Sequence, residues 1–163
     1  MLKVRDSAPR FDCTVVVECE VVHLKWHQLH GNQNLVLLFD SIDEYIDRPN
    51  DLAILCSVAS RFEMLQCKLA VICREDEFEI LTWMQRLSAE LGSKPIGFPV
   101  IVDADNRIAS MYDMLSEDGP LWGHVIADSN AKVRSIAANS FPVGLNVDEL
   151  MRCVASIVES DDV

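Results

Sequence analysis

Positive charge is scarce in this chain of 163 residues: 14 Lys and Arg stand against 26 Asp and Glu, a net charge of -12. So acidic a surface repels the phosphates of nucleic acids and of anionic membranes, and neither is an expected partner. Long hydrophobic runs are missing too. No apolar stretch approaches the roughly 20 residues that span a bilayer. The opening MLKVRDSAPRF lacks the apolar core of a secretory signal. Cytosol or nucleus is the expected location. Cysteines stay reduced there, so the six Cys are expected as thiols rather than as a disulfide framework. No two of them form a C-x-x-C pair, and neither zinc nor any other cofactor is expected. Internal repeats and linkers are absent as well. Half of the residues are apolar, enough for one domain over residues 1–163 with its own core.

What is present is organised around Leu35 to Phe62. Leu35 to Phe39 is a continuous apolar run, with Ile42 beyond an Asp-Ser break. Such a run, bounded by turn residues, reads as a buried strand. An acidic loop follows, with Asp40, Asp43, Glu44 and Asp47. Pro49 then opens a helix, since its missing N–H and fixed φ suit the first helical position. Leu52, Leu55, Ala59, Phe62 and Leu65 recur at helical spacing and give it a core face. The loop is thus aimed at a helix N-terminus, where negative charge is favoured. The acidic residues lack the Gly and the ligand spacing of a calcium loop. They read as a solvated loop with Arg48 as counter-charge.

On either side the pattern continues. Cys13 to Val17 and Glu20 to Leu24 read as a hairpin, Trp26 to His30 as a turn of helix ending at Gly31. His23, His27 and His30 fall close together, but His23 belongs to a strand, and the three read as solvated groups rather than metal ligands. Lys68 to Cys73 is a second central strand. Asp76 and Glu79 form a capping box before a helix with Ile80, Trp83, Met84, Leu87 and Leu91 inward and Gly92 at its end. Val100 to Val102 is a strand, and Asp105 is expected to cap a short helix through Met111 and Tyr112. Leu121 to Ala127 and Lys132 to Ala138 read as antiparallel strands around a turn at Asp128 to Asn130. Asn146 and Glu149 cap a last helix with Leu150, Val154 and Ile157 inward, and residues 160–163 are expected as a disordered tail.

This arrangement resembles the peroxiredoxin family, the alkyl hydroperoxide reductase and thiol-specific antioxidant group, over about Ala8 to Val158. The opening Ala8-Pro9-x-Phe11 is similar to that family's start. Phe141 to Gly144 with its neighbours, S-F-P-V-G-L-N-V-D-E, resembles a string of the typical two-cysteine members, with Leu145 where they have Arg. The resemblance implies a thioredoxin-like α/β fold, a mixed central sheet with helices on both sides. It also exposes departures. The family carries P-x-x-x-T-x-x-C-P on the loop; the same frame here reads S-I-D-E-Y-I-D-R-P. Ser41 stands at the proline, Tyr45 at the threonine and Arg48 at the peroxide-attacking cysteine. The family's activating Arg lies in an L-R-G sequence, which here is Leu121, Trp122, Gly123. Its resolving cysteine lies in a C-terminal arm with no counterpart in these residues.

Two kinds of function are compatible with this reading. One is a catalytically inactive member that acts as a binding, dimerisation or scaffold module. The resemblance implies a homodimer through the strand Leu121, Trp122, Gly123, His124, Val125, Ile126 and Ala127, which carries no Lys or Pro to block pairing. A heterodimer with an active peroxiredoxin or another protein is the variant of that idea. The other is a residual thiol peroxidase or redox sensor using Cys13, Cys19, Cys56, Cys67, Cys73 or Cys153. Against it, a free Cys is usually an inert small hydrophobe, and an acidic loop raises the pKa of a nearby thiol.

Overall fold

A computed structural model of the chain describes residues 1–42, 51–140 and 146–161. The first half runs β1 (Cys13–Val17), β2 (Glu20–Leu24), α1 (Trp26–His30), β3 (Asn34–Phe39), α2 (Asp51–Met64), β4 (Cys67–Cys73) and α3 (Glu77–Glu90). The second half runs β5 (Val100–Val102), α4 (Arg107–Met111), β6 (Leu115–Ser116), β7 (Gly119–Pro120), β8 (Trp122–Ala127), β9 (Val133–Asn139) and α5 (Val147–Asp161). Seven strands form one sheet in the order β2-β1-β5-β4-β3-β8-β9, while β6 and β7 make a separate small ladder. β3, β4 and β5 are parallel to one another; β1, β8 and β9 join antiparallel, so the sheet is mixed.

The continuous apolar run at β3 has its reason in the layers. Val36 and Leu38 face α2, α3 and α5, in a core with Leu55, Phe62, Met84 and Leu150. Leu35, Leu37 and Phe39 face α1 and α4, in a second core with Trp26, Leu29, Ile108 and Tyr112. A strand covered on both faces shows no polar alternation. Burying a side chain such as Phe62 or Leu55 stabilises the fold by about 1.5–3 kcal/mol. Among the described residues no helix is long and apolar enough to cross a membrane.

The local signals for several elements hold. The β1–β2 hairpin turns through Glu18 and Cys19, both at positive φ, the geometry of a tight two-residue turn. Asp76 accepts the Glu79 N–H at 2.9 Å and starts α3; Asn146 accepts the Glu149 N–H at 3.0 Å and starts α5. Pro49 and the string 141–145 lie outside the described residues. α5 runs through Asp161, so Ser160 and Asp161 belong to the helix rather than to a tail. Ser160 also accepts from Arg134 Nη2 at 2.9 Å, which ties that end of α5 to β9.

One expectation fails on topology. The strand at 121–127 is not an edge: β8 lies between β3 and β9, and Leu121 precedes it. Val125, Ile126 and Ala127 show no surface at all, and His124 is buried. An apolar strand free of Lys and Pro is what an interior strand needs, and that same composition had suggested an open edge. The outer edges are β2 and β9. Even β9 is partly covered, because the N-terminal segment pairs with its start: Arg5 N–H donates to the Val133 carbonyl at 2.7 Å and Val133 N–H to the Asp6 carbonyl at 2.9 Å.

β8 and β9 approach most closely at Gly123. Its φ is +152°, and a Cβ there would lie 1.8 Å from the Ala137 carbonyl oxygen. That oxygen is backbone and cannot swing aside. Gly123→Ala should therefore destabilise the protein by about 3 kcal/mol or more, through backbone strain and overpacking together. Urea unfolding of the variant beside the parent measures it, and a loss under about 1 kcal/mol would contradict the geometry.

Candidate functional site

In an α/β sheet, sites form where parallel strands end, because loops and helix N-termini converge there. β3 ends at Phe39. Beyond it, Asp40 N–H donates to the Ile72 carbonyl at 3.1 Å, and the Asp40 carboxylate accepts the Ser41 N–H at 2.7 Å. Ser41 is buried, and its hydroxyl donates to Glu75 Oε1. Glu75 is itself buried and follows β4 by two residues. The pair thus ties the exits of two neighbouring parallel strands together. A buried carboxylate needs such donors to remain in place.

Trp122 begins β8 on the other side of β3, where Gly123 pairs with Phe39. Its side chain is buried, and the Arg74 guanidinium carbon sits 5.8 Å from the ring centroid. A cation over an indole face is attracted by the ring's quadrupole. The space left between Trp122, Phe39, Asp40, Asp103 and Asn106 is about 20 Å³. That holds one water and nothing larger. So Ser41 and Trp122, named separately from the sequence, gather at one end of the sheet. Tyr45 and Arg48 lie outside the described residues, as do Asp43, Glu44 and Asp47.

α4 closes the floor of this region, and its cap differs from expectation. Asp103, buried, accepts the N–H groups of Ile108 and Ala109, each at 2.9 Å. Asp105 accepts only the Arg107 N–H, at 3.2 Å, and the N-cap position Asn106 makes no side-chain cap bond. The reach from a strand end into the helix, across a left-handed Asn106 with φ +58°, is not a sequence-local cap pattern.

The thiols are scattered. Burial pushes Cys13 up to about 11, against a smaller downward pull from Arg107. Burial also pushes Cys56 up to about 11 and Cys67 up to about 12. Cys73 is fully buried and Cys153 half-buried on α5. Cys19 alone is exposed, at the tip of the β1–β2 turn. None of the six lines the Trp122 cavity among the described residues. The histidines separate likewise. His23 pairs with Thr14 Oγ1 at 3.0 Å, and His27 is exposed on α1. His30, expected at the surface, is buried: it stacks on Trp26 at 5.3 Å and donates through Nε2 to the Asp128 carbonyl at 2.8 Å. Among the described residues no three His, Cys, Asp or Glu side chains converge to hold a metal ion.

Sequence reasoning missed Arg74, Glu75 and Asp103. Their only signal is position, one or two residues past a strand end. Within C-R-E-D-E only Asp76 carries a cap signal, and nothing marks Glu75 as buried between exposed Arg74 and Asp76.

Comparison with known proteins agrees with this architecture. Residues 4–136 match the family model described as the AhpC/TSA family. Peroxiredoxin-2 of Bos taurus is 27% identical over 157 residues, which cover 95% of this chain and 78% of the relative. Peroxiredoxin TSA1 of Saccharomyces cerevisiae is 27% identical over 161 residues, 98% of this chain and 82% of the relative. Among solved structures, the mitochondrial 2-Cys peroxiredoxin of Plasmodium falciparum superposes with a TM-score of 0.85 at 23% identity, over 98% of this chain and 96% of that one. Enterococcus faecalis AhpC superposes with a TM-score of 0.87 at 17% identity, over 99% and 96%. Those two structural likenesses speak for the thioredoxin-like fold; the family match speaks for kinship. The chain belongs to the AhpC/TSA family, the family of the peroxiredoxins it matches.

Proposed function

We propose that this chain has given up peroxide reduction and works as a protein-binding module, paired with a second copy of itself or with another family member. The observation that carries this is Trp122. It occupies the position that the resemblance assigns to the family's activating Arg, and its buried ring packs against the Arg74 guanidinium instead. Catalysis at such a site depends on a thiolate and on donors aimed at the charge that develops on the leaving oxygen. Arg48 supplies no thiol, and an indole ring supplies no cation. Ser41 is committed to Glu75.

With hydrogen peroxide in a stopped-flow instrument, the protein should consume peroxide no faster than its own thiols do in denaturant. A second-order rate well above that background would sink the reading. Arg48→Cys alone should stay near background. Joined with Tyr45→Thr and Trp122→Arg, it should gain far more than the single changes added together, because the groups act as a unit.

The alternative is a residual thiol enzyme or sensor that uses one of the six cysteines, of which Cys19 is open to reagents by exposure alone. Labelling with a thiol reagent, mapped by mass spectrometry, separates the two. At pH 7 Cys19 should react first. Cys13 and Cys56, raised to about 11, hold about one part in ten thousand as thiolate at that pH. Their labelling should rise about a hundredfold from pH 7 to pH 9, because more thiolate forms as the pH nears the pKa. A Cys13, Cys56 or Cys67 that outpaced Cys19 at neutral pH would favour the alternative.

The paired state is expected through β9, the outer strand beside β8. Its start is covered by residues 5 and 6, so the open stretch begins at Arg134. Light scattering at micromolar concentration should give the mass of a dimer. Ala138→Asp places a carboxylate at an exposed position on this short edge, near its own copy, and should weaken association about tenfold. A monomer mass for the parent chain would remove the homodimer.

A further inference from the structure

A recess with an apolar floor lies at the opposite end of the sheet from Trp122. It measures about 630 Å³ and is bounded by α1, the second half of α2, the start of β4 and the segment 95–99. Small-molecule sites have this size and this makeup, an apolar floor with a few placed polar groups. Leu29, Phe62, Leu69 and Ile96 form the floor, all of them buried. Gln28, Gln33, Gln66 and Glu63 stand exposed around the mouth.

One charged group in the lining is held in a way that points to a ligand. Lys68 Nζ donates to the carbonyls of Gln28 at 3.3 Å and Leu29 at 3.1 Å, at the end of α1. Gly31 makes room for it: a Cβ there would lie 2.7 Å from the nitrogen. An ammonium has three N–H donors, and the two carbonyls take two. Among the described residues Lys68 has no ion pair. The carbonyls at the end of α1 carry the helix's partial negative charge and hold the ammonium in place; in a chain of net charge -12, its third N–H is left for an anion from outside.

We propose that this recess binds a small amphipathic carboxylate. Its apolar body lies on Leu29, Phe62, Leu69 and Ile96, and its carboxylate accepts the third N–H of Lys68. Glu63 is the one carboxylate among the described lining residues, and it opposes the ligand's charge. The two residues therefore act with opposite sign. The inference stands apart from the loss of peroxidase activity, since it uses none of the residues at the Trp122 end.

Isothermal titration calorimetry of the full chain tests it, with straight-chain carboxylates from octanoate to palmitate and the matching alcohols. The acids should bind saturably, one per chain, and more tightly than the alcohols. Lys68→Gln should weaken the acids about tenfold, the loss expected for one hydrogen bond to a charged group, and leave the alcohols unchanged. Glu63→Gln should tighten the acids. Ala59→Trp fills the recess from α2 and should abolish binding of both; Ser60→Trp, from its exposed rim, serves the same end if the first variant does not fold. The proposal is overturned if no saturable binding occurs up to millimolar ligand. It is equally overturned if acids and alcohols bind alike, or if Lys68→Gln leaves the acids unaffected.

Discussion

Leu35, Val36 and Leu37 in β3 show no surface to solvent. β4 pairs with this strand on one side and β8 on the other, while helices cover both of its faces. Every backbone group of such a strand must find its partner inside the protein, because water cannot reach it. That requirement fixes the register of both neighbours, and a slip by one residue would turn Leu35 and Leu37 into the wrong core. The two cores lie on opposite faces of the sheet, and β1, β3, β4, β5 and β8 each send side chains into both.

The same strand decides what stands at its end. Because β8 runs antiparallel with Gly123 opposite Phe39, residue 122 falls beside residue 40. Because β4 runs parallel, the Arg74–Glu75 pair falls on the other flank. Four side chains from three separate stretches thus meet: a hydroxyl on a carboxylate and a guanidinium over an indole. The register was there before any chemistry; the side chains placed in it decide whether the end is an open pocket or a packed one. Here Trp122 is one of them, buried against Arg74.

Much of this was legible from residue order. The β1–β2 pair, α1, β3, β5 and the inward faces of α3 and α5 carry strong local signals, and their boundaries follow from caps and apolar runs. The family was legible from motif strings, and with it the fold. What was not legible depends on neighbours. Whether β8 is interior or an edge is settled by β9 folding back along it, and an apolar strand reads the same in either place. His30 looks like a surface group until Trp26 stacks on it and Asp128 offers a carbonyl. Asp103 rather than Asp105 caps α4, since the chain turns through a left-handed residue first. Glu75 is hidden in a charged run because its burial comes from Ser41, more than thirty positions earlier.

The N-terminal segment that lies along the start of β9 carries a consequence for the order of folding. Ser7 and Lys132 touch across 125 positions of chain. A contact between residues so distant forms only after the intervening chain has already drawn together, because closing the loop beforehand costs too much entropy. The first residues therefore stay unpaired until β9 has come close to them. During that interval the whole outer side of β9 lies open, including the part that the native molecule keeps covered. A second chain arriving then meets a longer ladder than the finished protein offers.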